Sequence, residues 1–274
     1  MRTPRRAGCL DGRTSRAHQP GVRPMTFLLD AAFAHNPRPL RLHALKLRLA
    51  LMAIYYAYRE RQPAGEPHPY GCSLPSVDVR NMIGLGRAKD ARALRRAIGE
   101  LQDDPAYQWI NLSQHGRRLA FALEPSLCHV AHMERYALIK NEDFQRPGTI
   151  ADFHLSLRHA EVRKMKAPAC AAPPVGAAAM AGPGSRPDDD WARRTLLPAV
   201  RRLAARIDAP VFVGAVWPAN PAMAPSLRFR FGGSGTVWTP AGMRKVRIDE
   251  HAWLVTADGA KRLNRPRIKP VHAP

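Results

Sequence analysis

Five cations crowded into ten residues are the groups of this chain best suited to hold a polyanion. Lys89, Arg92 and Arg96 fall at i, i+3 and i+7, with Arg87 and Arg95 beside them. In a helix that spacing puts the three on one face. Guanidinium groups so presented can form paired hydrogen bonds to phosphate or to the edge of a guanine. Leu94, Ile98 and Leu101 fall about half a turn away, at i, i+4 and i+7. One face therefore goes to a core and the other carries charge. A second basic pair, Arg117 and Arg118, follows His115-Gly116 between two runs of alternating apolar residues.

The elements that must position these groups span residues 74–123. Ser76 is expected to cap a short helix that Gly84-Leu85-Gly86 ends. The basic helix follows over residues 87–102. A hairpin then pairs residues 109–112 with residues 119–123, with Arg117 and Arg118 at its tip. Helix, tight turn, basic helix and basic hairpin together make a winged-helix DNA-binding module. The competing reading is an α+β domain whose basic face is only solvated. Element order and charge placement favour DNA.

Charge supports a nucleic-acid partner. The chain has 274 residues and a formal net charge of +21, from 43 Lys+Arg against 22 Asp+Glu. Coding bias can exchange lysine for arginine, but it does not remove acids. Residues 37–166 and residues 191–264 each carry +8, whereas residues 167–190 carry −2. Both candidate domains are thus basic and the join is not, a pattern that favours a polyanion as partner.

The full reading is α+β, with five segments. Residues 1–36 form a disordered basic arm, or lie partly upstream of a start at Met25. Residues 37–166 form the winged-helix domain, opened by an apolar helix over residues 40–58. Its Tyr55, Tyr56 and Tyr58 are expected in the core rather than stacked on bases. A helix is expected over residues 125–139 and another over residues 150–166. Residues 167–190, rich in Pro, Ala and Gly, form a linker. Residues 191–264 form a small basic α+β domain, or a second, degenerate winged helix. Residues 265–274 are a basic tail. In the second domain Arg228 and Arg230 alternate with Leu227, Phe229 and Phe231, and Arg244, Lys245 and Arg247 make another basic strand. These five cations join the candidate DNA contacts.

The motifs of other chemistries are missing from the sequence. No glycine precedes a lysine, which excludes a P-loop, and no GxSxG elbow occurs. Gly232-Gly233-Ser234-Gly235 leads to Thr236-Val237-Trp238 and reads as a hairpin turn rather than a phosphate cradle. His68 and Cys72, with Cys128 and His132, have ligand-like spacing within each pair. The 55 residues between the pairs make ordinary histidines and inert thiols the better reading. No metal, no cofactor and no enzymatic activity are expected. Four dispersed cysteines suit a reducing cytoplasm, and no apolar run is long enough for a membrane span.

The layout resembles the replication initiator (Rep) proteins of plasmids and mobile elements. The likeness runs through residues 37–255. A long apolar helix precedes a short one near Val77 to Ile83, and a basic helix follows from Lys89 to Leu101. A wing through His115-Gly116 comes next, and a second half opens on Leu196-Leu197-Pro198-Ala199-Val200. No helix-turn-helix is evident after Ile207. The resemblance implies that Lys89, Arg92, Arg95 and Arg96 enter a major groove, and that Arg117 and Arg118 touch phosphate or the minor groove. It also implies double-stranded origin DNA as ligand, with host replication proteins and a second copy of the chain as further partners. A transcriptional regulator, or an RNA binder using the basic strands and exposed aromatics of residues 227–248, are the alternatives.

Overall fold

A computed structural model describes residues 25–27, 40–59, 71–86, 91–113, 115–128, 137–139, 141–166, 168–218, 220, 223–232 and 250–263. The fold is α+β, with antiparallel sheets and two apolar cores. The first strand, β1 (Met25–Phe27), pairs with β5 (Ala137–Ile139). Two expectations are corrected by this pairing. The arm expected to lack structure holds a strand, and the last residues of the helix expected over 125–139, Ala137–Ile139, form a strand instead, while Pro125–Cys128 are helical.

The first unit begins with α1 (Leu42–Arg59), whose Leu47, Ala50, Leu51 and Tyr55 are buried. Next come β2 (Gly71–Pro75), α2 (Ser76–Met82), α3 (Arg92–Leu101), β3 (Tyr107–Leu112) and β4 (Arg118–Leu123). The sheet order is β2-β4-β3. Two short helices, α4 (Pro125–Cys128) and α5 (Asn141–Gln145), then lead to α6 (Ile150–Val162).

Helix α6 is apolar on two opposite sides. Phe153, Leu157 and Ala160, spaced at i, i+4 and i+7, join the first core. Ala151, Leu155 and Val162 join the second. Its start is fixed by a capping box. Thr149 Oγ1 accepts from Asp152 N at 3.1 Å, and Asp152 Oδ2 accepts from Thr149 N at 3.0 Å.

Beyond α6 the expected linker is folded, which corrects the boundaries at residues 167–190. It contains β6 (Ala169–Ala172) and α7 (Pro174–Ala181), with Ala172, Ala177 and Met180 buried in the second core. Small residues here serve close packing. A Cβ on Gly176 would lie 3.0 Å from Arg158 Nη2 and 3.4 Å from the Ala172 Cβ. A long helical stretch follows as α8 (Asp189–Trp191), a π turn (Ala192–Leu196) and α9 (Leu197–Ile207). Pro198 accounts for the π turn. It has no N–H for the Arg194 carbonyl, and its ring needs room there. Leu197 N donates instead to Ala192 O, five residues back. Strands β7 (Val211–Val216), β8 (Ser226–Phe231), β9 (Glu250–Val255) and β10 (Ala260–Arg262) complete a sheet ordered β10-β9-β7-β8-β6.

The second unit repeats the first. Both run helix, strand, helix, helix, strand, strand, and the order β6-β8-β7 matches β2-β4-β3. Residues repeat as well. Arg92, Leu94, Ala97, Ile98 and Leu101 of α3 correspond to Arg194, Leu196, Ala199, Val200 and Leu203. The four apolar positions are buried in both. Cys72, Phe121 and Ile110 form a cross-strand row, as do Cys170, Phe229 and Val213. The second helix pair therefore lies before Ile207, across the expected linker, and not after it. Among the described residues no helix is long and apolar enough to cross a membrane.

The burial of α6 has a pH signature. His154 is buried in the helix, and burial first, then the Arg158 charge, push its pKa down to about 4. It stays neutral in the fold and takes up a proton more readily when unfolded. Stability is thus whole above about pH 6.5 and lost progressively toward pH 4. His154→Gln is expected to remove roughly 3 kcal/mol of that acid-dependent loss. Denaturant melts at pH 7, 5.5 and 4.5 measure it.

Candidate nucleic-acid interface

Helix α3 divides its side chains cleanly. Leu94, Ala97, Ile98 and Leu101 are buried, while Arg92, Arg95 and Arg96 are exposed on the other side. The expected charged face is thus present for these three. Arg87 and Lys89 lie outside the described residues. Gly99, also exposed, leaves the middle of this face without a side chain.

The turn from α2 to α3 is held from behind. Gly84 has φ +83°, and a Cβ there would stand 2.9 Å from Gln145 O. Only glycine fits both demands. Gln145 Nε2 donates to Asn81 O at 3.0 Å, and buried Lys46 reaches across from α1. Lys46 Nζ donates to Pro147 O at 2.8 Å and lies 3.5 Å from Ile83 O. Burial pulls the Lys46 pKa down to about 8, against the attraction of Asp152. The helix-pair turn is therefore tied to the loop that starts α6.

The hairpin tip is fastened to the start of α2. Ser76 is not the N-cap; that position is Pro75, and Ser76 is the first helical residue. Its hydroxyl instead donates to Gly116 O, and its N–H to Arg117 O at 2.8 Å. The expected cap thus serves as a clasp between helix and hairpin. Gly116 takes φ +66°, and a Cβ there would sit 3.7 Å from Arg95 Nη2. Arg95 therefore lies beside the hairpin tip. Ser113 Oγ accepts from the N–H groups of Arg117 and Arg118 at 3.1 Å each.

The predicted cations separate by role. Arg92, Arg95, Arg96 and Arg117 share the region of α3 and the tip, all exposed. Arg118 is exposed too, but its Nε and Nη2 donate to Ser73 Oγ and Ser73 O, each at 3.0 Å, bracing β2 against β4. Arg228 and Arg230 lie apart, half-buried on the outer face of β8 in the second sheet. Their neighbours Phe229 and Phe231 point into the core and are buried. These two rings cannot serve as a stacking platform, which corrects that part of the RNA reading. Arg244, Lys245 and Arg247 lie outside the described residues, as do His68 and His132.

The exposed arginines missed by sequence lie on the stretch of the second unit that matches α3, Arg194 at the position of Arg92 and Arg193 and Arg201 at those of Ala91 and Gly99. Arg193, Arg194 and Arg201 are exposed around the π turn and α9. Arg194 Nε lies 2.8 Å from Asp190 Oδ1, Arg193 pairs with Asp189, and Arg201 Nε donates to Ala257 O at 2.7 Å. The signal was present as the shared pattern of arginine, leucine, alanine, Ile/Val and leucine. It was obscured because residues 167–190 read as a linker, which left this helical stretch without a partner helix before it.

The clasp gives a direct test. Ser76→Ala removes a buried hydroxyl and leaves Gly116 O without that partner. It should lower stability by about 1–2 kcal/mol in urea melts. Amide exchange at Gly116 and Arg117 should quicken more than in α1.

No known family model matches the chain, and no curated protein matches it either. Among solved structures, the crystal structure of Pi initiator protein in complex with iteron DNA superimposes with a TM-score of 0.50. The alignment covers 73% of this chain and 94% of that one, at 13% identity. The likeness is one of fold, and it spans both units.

Proposed function

We propose that this chain is a sequence-specific double-stranded DNA-binding protein that initiates replication of a plasmid or mobile element, using two winged-helix units. The observation that carries the reading is the exposed arginine face of α3, set beside a hairpin tip that Ser76 clasps to the same helix pair. An arginine face on a rigid helix with a basic tip alongside suits a major groove and its flanking phosphates. The repeat extends the idea. Arg193, Arg194 and Arg201 would read or brace a second stretch of duplex.

The fold neighbour supports this direction, since that protein is an initiator captured on iteron DNA. The proposed activity is assembly on origin DNA with no chemistry of its own. Host replication proteins and a second copy of the chain are the proposed partners, in the cytoplasm. The net charge of +21 would add a salt-dependent affinity for any duplex.

Arg92→Ala with Arg96→Ala tests the assignment, because both side chains lie off the buried face. The double variant should bind its duplex about 30-fold or more weakly, with an unchanged melting curve. Fluorescence anisotropy over a salt series reads the effect. Equal affinity in the variant would remove α3 from the interface.

A further inference from the structure

A cavity of about 320 Å³ opens between the loop before α6, α6 itself and α9. Arg146, Arg202, Arg206, Asp152 and Ser156 line it over an apolar floor that includes Leu203. It lies apart from α3 and the hairpin tip.

The repeat shows what is unusual about this place. In the first unit the same seam is closed by an ion pair. Arg48 Nε on α1 lies 2.8 Å from Asp104 Oδ2, just after α3, and both side chains are buried. Arg48 stands seven residues after Arg41, which immediately precedes α1, and Ser156 stands seven after Thr149, which caps α6. Asp104 follows Leu101 by three residues, and Arg206 follows the matching Leu203 by three. The second unit thus has Ser156 in place of the arginine and Arg206 in place of the aspartate. Glu100, which accepts from Arg41 N at 3.0 Å, is matched by Arg202. The short serine leaves room, and two acids have become arginines.

The surrounding charges are unevenly matched. Arg202 is closed on Asp152 by contacts of 2.9 and 3.1 Å. Asp152 Oδ2 also accepts from Gly148 N and Thr149 N. The Arg146 guanidinium lies 3.1 Å from Glu142 in an exposed pair, of a kind worth little in water. Arg206 Nη2 donates to the Ser156 hydroxyl at 2.7 Å, a neutral partner. Burial above all, and Arg146 with it, hold the Arg206 pKa below its usual value, against the attraction of Asp143, Asp152 and Glu142. A half-buried guanidinium held by a hydroxyl, facing a second guanidinium across a cavity, is arranged for an anion with several oxygens.

We propose that this cavity binds a phosphate group, with Arg206 and Arg146 meeting its charge, Arg202 at its rim and Ser156 positioning Arg206. The phosphate would come either from the backbone of bound duplex or from a free phosphate compound. The duplex source rests on the proposed function; the free source does not.

Two variants of the full chain test it. Ser156→Asp gives Arg206 the carboxylate that Asp104 gives Arg48, closing the site while keeping the seam bonded. Arg206→Gln removes the charge and keeps a donor for Ser156. Inorganic phosphate is titrated by calorimetry against chloride at equal ionic strength, and duplex affinity is measured over a salt series. A free source predicts saturable phosphate binding to wild type, at least tenfold weaker in both variants, with duplex affinity unchanged. A duplex source predicts about tenfold weaker duplex binding in both, with the log–log salt slope reduced by about 1. A loss shared by both variants in either arm supports the site. No shared loss in either arm overturns it. If wild type binds no duplex, the proposed function fails and the phosphate titration alone decides.

Discussion

Helix α6 is the constraint on which the rest of the structure depends. Its two apolar sides must both be covered, and each is covered by a different unit. Phe153 and Leu157 close the first core, and Leu155 and Val162 close the second. A helix hydrophobic on opposite sides has no stable exposed state, so the units fold against each other through it. The capping box at Thr149 sets where the helix starts. Asp152 serves that box and also holds Arg202 of α9. Lys46 brings in the first unit, bonding the loop just before that cap from α1. Helix α9 and the turn that leads into α3 are therefore both tied to the start of one helix.

The chain uses one supersecondary plan twice and varies its polar contacts. The apolar positions of α3 and α9 correspond, as do the cross-strand rows around Phe121 and Phe229. Packing restricts such positions to similar shapes. The contacts at the seam are freer, and there Arg48–Asp104 stands opposite Ser156–Arg206. The hairpins also differ. The first sheet ends at β3, whereas the second continues through β9 and β10.

The first unit was largely legible in the sequence because its signals are local. Leu94, Ile98 and Leu101 mark a helical stripe, Gly84 marks a turn, and Ile110 with Phe121 marks a hairpin. Ser76 was misread because a serine before a helix usually caps it. Here it begins the helix and clasps the hairpin through Gly116, a contact forty residues away. The second unit was hidden for physical reasons. Ala172, Gly176 and Ala177 resemble a linker by composition, yet their smallness is what lets β6, α7 and α6 approach. With α7 taken for part of a linker, the helical stretch through Pro198, which the backbone carries in a π turn, had no partner helix before it. The strands Met25–Phe27 and Ala137–Ile139 are too short to show a period.

The proposed function has the two units present arginine faces to one duplex. Selection of bound duplexes from a randomised library tests it most directly, with wild type compared against variants in each unit. Two separate blocks of preferred bases are expected. Arg92→Ala should relax one block and Arg194→Ala the other. A single block affected by both, or no preference among duplexes, would contradict it.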